Sequence, residues 1–313
     1  MSLTVGVDIG GTKIAAGVVD EQGKILTRTR RRTPSRDLDA VQNIVIEVVN
    51  ELAARHTIEA VGVGTAGFID ATRSRVLLAP NLGWTDAHLR LAVERGTDLP
   101  TVIENDANAA AWGERRFGAG QGAPDMIAIT VGTGIGGGLI FDGALYRGMH
   151  GMAAEVGHLT VEPGGRSCGC GQRGCWEQYG SGNALVREAR ALASDERSDA
   201  AILLDLGDGT PEGVQGAHIT EAARLGDPVA LDSFAIVGHW LGLGMASLAA
   251  VLDPEVFVIG GGVSEAGDLL FVPTRASFLK HLSGREIREV PEVKLAELGN
   301  DAGIVGAADL ART

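Results

Sequence analysis

Cysteine is scarce in this chain of 313 residues, where it occurs only as Cys168, Cys170 and Cys175. An odd set clustered within eight residues is a poor disulfide framework and is typical of a metal site. Proline is scarce as well, with 10 residues, while 45% of the chain is apolar. These values exclude a collagen-like or disordered low-complexity chain, and the length predicts about two domains.

Basic residues are outnumbered: 27 Lys and Arg stand against 40 Asp and Glu, which gives a formal net charge of −13. A general nucleic-acid or anionic-membrane binder needs a basic footprint, so this balance argues against both. It does not exclude a small anionic ligand held by backbone N–H groups.

Long hydrophobic runs are lacking too. The first residues contain no basic segment followed by an apolar run, so we expect no secretory signal. The most apolar stretch, residues 240–252, has 13 residues with glycines among them, whereas a bilayer span needs about 20. We therefore expect a buried or subunit-interface helix there, in a cytoplasmic homo-oligomer (dimer or tetramer) that binds no membrane.

Glycine, by contrast, is abundant: 46 of 313 residues, about 15% against a usual share of about 7%. Many of these glycines belong to a pattern that occurs twice. Residues 3–30 show strand, glycine turn, strand, turn and strand, and residues 126–147 repeat that order. Two such units predict a duplicated two-domain protein with a cleft between the halves. The alternative is a chance match of two glycine-rich hairpins.

Helical and strand patterns alternate after the first hairpin. Apolar residues recur at helical spacing over residues 39–55, and residues 60–65 and 101–104 are short runs typical of buried parallel strands. A later strand at 256–259 ends in glycines. The last stretch, 300–312, predicts a helix that packs back on the first domain.

Two glycine loops imitate nucleotide-binding fingerprints. Residues 6–13 nearly fit the phosphate-loop pattern G-x-x-x-x-G-K-[ST], and residues 132–137 are a literal G-x-G-x-x-G. Both fingerprints require a helix after the glycines, whereas a strand pattern follows each loop here. Neither fingerprint therefore applies.

The alternative interpretation is that both loops are β-turns whose backbone N–H groups bind anions, with a third glycine run at 260–262 against a purine. Each loop alone could be a plain hairpin turn, but the three together predict nucleotide binding. Asp8 is placed to organise Mg²⁺ through water, and Lys13 is either a phosphate contact or a solvated residue. The predicted nucleotide-binding residues are Asp8, Gly10, Gly11, Thr12, Lys13, Gly132, Thr133, Gly134, Gly260, Gly261 and Gly262.

The three cysteines and one nearby histidine make a Cys3His set, a common closed zinc site. His158 is the nearest in sequence of the seven histidines. Four protein ligands leave no open position for water, so we expect the zinc to be structural. The alternative is three reduced cysteines without a metal. If zinc binds one ring nitrogen of His158, the other carries the proton in a fixed direction.

Several motifs together carry a specific resemblance. DIGGTK at the first turn, ENDAN at 104–108, GTGIGGG at the second turn, ExGH at 155–158 and CGCGQRGCWE at 168–177 resemble the ROK family, and within it the bacterial ATP-dependent glucose kinases. The resemblance extends through the closing GNDAGIVGAADLA. It implies an α/β, two-domain actin/hexokinase-like (duplicated ribonuclease H-like) fold with an inter-domain cleft. It also implies ATP-dependent phosphorylation of glucose at the 6-hydroxyl to glucose 6-phosphate.

The resemblance also implies roles for single residues. Asp106 is the general base that accepts the proton of the attacking sugar hydroxyl, although the residues alone favour a helix N-cap at this position. His158 is both the fourth zinc ligand and a donor to a sugar hydroxyl. The predicted substrate-binding residues are Gly67, Asn105, Asp106, Glu155, His158 and Glu177, and the predicted metal ligands are His158, Cys168, Cys170 and Cys175.

The favoured hypothesis is a glucose kinase with Zn²⁺ in the Cys3His site and Mg²⁺ bound with ATP. The enzyme alternatives are another hexose, an N-acylhexosamine, or polyphosphate as the donor. A sugar-responsive repressor is disfavoured because no DNA-binding segment precedes Asp8, and a non-catalytic relative because Asp106 is present. We expect a small α/β domain at 1–108 plus 299–313, and a large α/β domain at 109–298 that carries the zinc site.

Overall fold

The computed structural model describes residues 2–34, 37–195 and 199–312. Its strands are β1 (Thr4–Ile9), β2 (Lys13–Val19), β3 (Ile25–Arg32), β4 (Ala60–Thr65), β5 (Phe68–Ile69), β6 (Val76–Ala79), β7 (Trp84–Ala87), β8 (Thr101–Asn105), β9 (Met126–Val131), β10 (Ile135–Phe141), β11 (Ala144–Tyr146), β12 (Val256–Gly260) and β13 (Glu292–Leu295). Its α-helices are α1 (Leu38–Ala53), α2 (Leu89–Thr97), α3 (Asp106–Phe117), α4 (Glu177–Gly180), α5 (Gly182–Asp195), α6 (Ala201–Leu206), α7 (Gly216–Arg224), α8 (Pro228–Leu252), α9 (Asp268–His281) and α10 (Ala302–Leu310).

The first sheet has the strand order β3-β2-β1-β4-β8. β2 is antiparallel to β1 and β3, whereas β4 is parallel to β1 and β8. The strands β1 (TVGVDI) and β4 (AVGVGT) are rich in Val and Gly and are almost wholly buried, as expected for parallel strands covered on both faces. Val41, Val45 and Val48 of α1 belong to the same core as β1, β2 and β4.

The C-terminal helix α10 approaches this sheet more closely than side chains on the strands would allow. A Cβ atom at Gly6 would overlap the carbonyl oxygen of Ile304, and one at Gly62 would overlap that of Ala307. Glycine is therefore required at both strand positions. The predicted C-terminal helix and its packing on the first sheet are confirmed.

The second five-stranded sheet has the order β11-β10-β9-β12-β13. Counted from its own first strand, this is the same order as in the first sheet. The predicted duplication is confirmed by this shared topology. The second glycine turn is shorter than predicted, because β10 already begins at Ile135. Gly138 lies inside that strand, and a Cβ atom there would overlap the side chain of Ala111 on α3.

The chain divides into two compact units. The first comprises Met1–Ala128, Gly137–Ala154 and Ala296–Thr313, and the second comprises Ile129–Gly136 and Glu155–Leu295. The domain boundaries predicted from the sequence, at residues 108/109 and 298/299, stay a prediction.

The second unit is organised around α8, a helix of 25 residues of which the predicted helix at 240–252 is the second half. By length and composition alone α8 could cross a membrane, but 50% of its most apolar window is buried inside the protein, as in a core helix. Gly242 allows the backbone of α9 to approach, and Gly244 lies against the ring of Trp176. Trp176 donates its indole N–H to the carbonyl of Trp240 at 2.7 Å, which fixes the end of the cysteine loop on α8.

Candidate active site and metal centre

Two carboxylates lie at the carboxyl edge of the first sheet. Asp8 is near the end of β1, and Asp106 directly follows β8. Burial and, to a smaller extent, the negative charge of Asp106 raise the pKa of Asp8 to about 6, against a smaller opposing effect of the Lys13 ammonium. Burial also raises the pKa of Asp106, against a smaller opposing effect of the Ala107 N–H. Both aspartates are therefore biased toward holding a proton.

Asn105, rather than Asp106, is the N-cap of α3. Its side-chain oxygen accepts the N–H groups of Ala107 and Asn108 at 2.9 and 3.1 Å, while Asp106 is the first residue of the helix. The prediction of a helix N-cap at Asp106 is therefore wrong by one position, because Asn105 has the extended backbone that an N-cap requires. The carboxylate of Asp106 shares the N–H of Ala107, which its Oδ1 atom accepts at 2.9 Å.

Gly67 and Asn105 are brought together. The side-chain N–H₂ of Asn105 donates to the carbonyl of Gly67 at 3.2 Å. Gly67 has a φ of 114°, and a Cβ atom there would lie 2.5 Å from the carbonyl oxygen of Leu78. This position therefore needs glycine on both conformational and steric grounds.

The first glycine turn is closed by a hydrogen bond from the N–H of Gly10 to the carbonyl of Lys13 at 2.9 Å. The second is closed in a similar way, from Gly132 to Gly134 at 3.0 Å. The N–H of the first glycine in each turn is therefore engaged within the turn itself. Anion binding is left to the residues that follow, which are Gly11 and Thr12 in one turn and Thr133 and Gly134 in the other.

The third glycine run lies against the second turn. Gly261 has a φ of 86°, and a Cβ atom there would lie 2.5 Å from the carbonyl oxygen of Val131, the residue before Gly132. Gly260 ends β12, and Gly262 begins a short 3-10 turn, Gly262–Ala266. Two of the predicted nucleotide loops are therefore neighbours within the second unit.

His158 and the three cysteines form a compact metal-ligand group. The Sγ atom of Cys168 lies 3.7 Å from Nδ1 of His158, and the Sγ atoms of Cys170 and Cys175 are 3.6 Å apart. All four ligand atoms lie within 4.8 Å of one another. Tetrahedral zinc with Zn–S near 2.3 Å and Zn–N near 2.0 Å separates its ligand atoms by about 3.5–3.8 Å. The donor set and its spacing therefore fit zinc.

The cysteine loop is folded by its own backbone. The N–H of Cys168 donates to the carbonyl of Gln172 at 2.9 Å, and the N–H of Gly171 donates back to Cys168 at 3.1 Å. Gly171 and Gly174 have φ values of 91° and 80°. Glycines are needed there because the chain must turn tightly to bring three thiols together.

Glu177 touches both the metal ligands and the second glycine turn. Its Oε1 atom accepts the thiol of Cys168 at 3.0 Å. A Cβ atom at Gly134 would lie 2.5 Å from its other oxygen. His158 presents Nδ1 to this group, so its Nε2 atom points elsewhere and would carry the proton when Nδ1 binds zinc. Glu155 begins the 3-10 turn that ends at His158, where the N–H of His158 donates to the carbonyl of Glu155 at 3.1 Å.

Glu104 is a residue of this region that the sequence reasoning missed. Its side chain is 1% exposed and pairs with Arg73 and Arg147. The sequence did indicate that Glu104 has partners, because it is a carboxylate inside an otherwise apolar parallel strand and a buried charge requires partners. Nothing in the sequence indicated which arginines those partners would be.

The fold and these sites define the class of protein: a duplicated sheet with a glycine turn in the first hairpin of each copy is the two-domain actin/hexokinase-like fold. The ROK family model matches residues 4–313. The chain belongs to the ROK family.

Three relatives show how close the similarity is. A glucokinase of Streptomyces coelicolor is 52% identical over 312 residues, which cover 100% of this chain and 98% of that protein. The crystal structure of a ROK family glucokinase from Streptomyces griseus, in complex with glucose and AMPPNP, has a TM-score of 0.92 and 54% identity over 99% of both chains. A ROK hexokinase from Thermus thermophilus has a TM-score of 0.82 and 36% identity over 99% of this chain and 98% of that one.

Proposed function

We propose that this chain transfers the γ-phosphoryl group of ATP to the 6-hydroxyl of glucose, with Asp106 as the general base. The full-length similarity to glucokinases supports the reaction. The observation that carries the role of Asp106 is its carboxylate at the end of β8, with a raised pKa and beside a residue that already caps the helix. A raised pKa brings a base closer to the operating pH, where proton transfer is most effective.

Asp106 takes part in the chemistry only by accepting one proton. Phosphoryl transfer leaves little covalent work for the protein, so positioning and charge neutralisation dominate. Asp106 accepts the proton of the attacking hydroxyl as the new P–O bond forms. Mg²⁺, which accompanies ATP, neutralises phosphate charge; Asp8 fits it because two neighbouring carboxylates with a raised pKa are a site for a cation and its waters.

The remaining assignments are part of the same proposal. Asn105, the backbone of Gly67, Glu155, Glu177 and Nε2 of His158 bind the sugar hydroxyls. Zn²⁺ in the Cys3His group is structural and fixes the ring of His158. The residues proposed to bind the nucleotide are Asp8, Gly11, Thr12, Lys13, Thr133, Gly134, Gly260, Gly261 and Gly262, while Gly10 and Gly132 close the two turns through their own N–H groups.

The cellular setting is also proposed. The enzyme acts in the cytoplasm as a homo-oligomer, and its two domains follow the boundaries predicted from the sequence. The apolar residues of α8 that stay exposed, such as Leu231 at 40% and Val251 at 79%, support a subunit interface. Light scattering with size-exclusion chromatography tests this, and a monomer at all working concentrations would contradict it.

A coupled assay tests the reaction. We expect ATP with Mg²⁺ to support phosphorylation of glucose, and product analysis to place the phosphate on the 6-hydroxyl. The same assay with mannose, fructose and an N-acylhexosamine, and with inorganic polyphosphate as donor, measures specificity. Turnover of another sugar at a higher kcat/KM than glucose would contradict the proposed substrate.

A further inference from the structure

The buried carboxylate of Glu104 is hydrogen-bonded through one oxygen and ion-paired through the other. Its Oε1 atom accepts the backbone N–H of Asn105 at 2.9 Å and the side-chain N–H₂ of Asn108 at 3.1 Å. Its Oε2 atom lies 2.8 Å from Nε of Arg147 and 3.2 Å from Nε of Arg73. One carboxylate therefore joins the start of α3 to two arginines that are distant in the sequence.

Arg147 holds a second segment with the same guanidinium. Its Nη1 and Nη2 atoms donate to the carbonyls of Ala71 and Asp70 at 3.1 and 3.0 Å. The planar guanidinium donates through both Nη atoms in fixed directions, while its Nε atom is ion-paired with Glu104, and a lysine cannot reproduce this arrangement. At Gly151 a Cβ atom would lie 2.5 Å from the carbonyl oxygen of Ile69, so the chain after Arg147 packs tightly on the same segment.

The turn that carries Arg73 is itself fixed. Arg73 has a φ of 55°, and its carbonyl accepts the N–H of Ile103 on β8 at 3.1 Å. Asp70 accepts the N–H groups of Ser74 and Arg75 at 2.8 and 3.0 Å. Burial tends to raise the pKa of Asp70, but hydrogen bonds from Thr72, Ser74 and Arg75 lower it to about 2. The hydrogen bonds that close the turn therefore favour the charged form of Asp70.

These contacts meet at Asn105, the residue before the proposed base Asp106. Glu104 fixes the N–H of Asn105, whose side chain caps α3 and donates to Gly67. A buried ion pair is not needed for stability, because apolar residues of similar size often serve as well. The hydrogen bonds of Glu104 Oε1 and of the two Nη atoms of Arg147, joined by the ion pair between the two residues, define one geometry for the peptide that precedes Asp106.

We propose that Glu104, Arg147 and Arg73 form a positioning unit that sets Asn105 and Asp106 for the reaction. The inference rests on the proposed roles of those two residues in the kinase. None of the three charged residues needs to touch a substrate. Their effect is on the geometry of the base and of the sugar contact, and geometric errors near 1 Å are costly in catalysis.

Arg147→Lys and Glu104→Gln test the unit, with Arg312→Lys as a matched control. Arg312 is also largely buried and binds a buried carboxylate, Asp309, at 3.2 Å, and the carbonyl of Val19 at 2.6 Å. Well below each variant's Tm, we expect the two test variants to lose at least about tenfold in kcat/KM for glucose. The KM for ATP should stay within about twofold of wild type, as should every constant of the control.

A second readout does not depend on kinase activity. Hydrogen exchange at the backbone N–H groups of Ala107 and Asn108 reports the cap of α3 directly, and we expect it to speed up in both test variants but not in Arg312→Lys. If both test variants fold and keep wild-type constants and exchange, the proposal is overturned. If wild type phosphorylates no glucose, the proposed function fails, while the exchange data still decide whether the unit orders residues 105–108.

Discussion

At the scale of single residues, Asp106 is the sharpest test of the mechanism. We expect Asp106→Asn to lower kcat by at least about a hundredfold, because the amide cannot accept the hydroxyl proton. Asp142→Asn is the control, since Asp142 is exposed with a φ of 50° that asparagine tolerates. Both variants should fold with a Tm no lower than that of wild type, because replacing the buried carboxylate of Asp106 by an amide removes a charge that burial disfavours. Near-normal turnover in Asp106→Asn would remove this residue from the mechanism.

Asp8 gives a prediction about pH. Its pKa in the folded protein is about 6, above its ordinary value of 3.8. The folded state therefore binds a proton on Asp8 more tightly than the unfolded state does. This difference stabilises the protein at low pH, and the stabilisation is lost as the pH rises from about 4 to about 6.

The Asp8→Asn variant has no titrating carboxyl at this position, so it does not show this loss of stability with rising pH. We expect the free energy of unfolding of the variant, relative to wild type, to increase by about 2 kcal/mol between pH 4.5 and 7.5, out of roughly 3 kcal/mol for the whole titration. Urea unfolding at pH 4.5 and 7.5 without added magnesium measures it. A difference that is the same at both pH values contradicts the raised pKa, and the exposed control Asp142→Asn should show no pH-dependent difference.

The sequence predicts the roles of some of these residues and misses those of others. The motif identified Asp106 and Asn105 as a pair, but which of them caps α3 depends on the backbone angles at the end of β8, and those are set by the sheet. The partners of Glu104 lie at positions 73 and 147. Long-range pairs of this kind follow from tertiary packing and leave no local pattern.

At the scale of elements, the cysteine loop depends on its metal. We expect Cys170→Ser to remove the bound zinc and to lower the Tm by more than about 5 °C, because zinc binding contributes to the folding free energy of the loop. Elemental analysis and a thermal scan measure both effects. Ser167→Ala in the same loop should retain about one zinc per chain; equal zinc in Cys170→Ser would contradict the ligand set.

The packing of α10 on the first sheet is a second test at this scale. A Cβ atom at Gly62 would overlap the carbonyl of Ala307, so Gly62→Ala must displace the helix or the strand. We expect a loss of about 3 kcal/mol or more in the free energy of unfolding, measured in urea. Gly216→Ala, with open space around it at the start of α7, should be neutral or slightly stabilising.

Elements with a clear periodicity were predictable, and those shaped by neighbours were not. The hairpins, the parallel strands and α10 follow from runs of apolar residues. The small sheet β5-β6-β7 was missed because its strands have two to four residues, too short for an alternating pattern. The first half of α8 was missed because its polar residues, such as Asp232 and His239, interrupt the apolar run.

At the scale of the whole molecule, the net charge of −13 bears on how ATP is held. If backbone N–H groups and Mg²⁺ bind the phosphates, added salt screens the repulsion between an acidic protein and an anionic substrate. We expect the KM for ATP, at saturating Mg²⁺, to stay constant or to fall between about 20 and 200 mM sodium chloride. A KM that rises severalfold would instead indicate that basic side chains bind the phosphates.

The division of the chain into two units also affects the order in which its parts can fold during synthesis. The first unit contains both ends of the chain, whereas nearly all of the second lies in the single segment Glu155–Leu295. On the ribosome, β1 and β4 must therefore wait for α10 while the 236 residues between Thr65 and Ala302 are added, roughly 12–50 s at ordinary rates of synthesis. The apolar faces that Gly6 and Gly62 keep open for α10 are exposed throughout that interval. We expect the later-made unit to fold first, and the nascent N-terminal strands to be the part of this protein that most needs a chaperone.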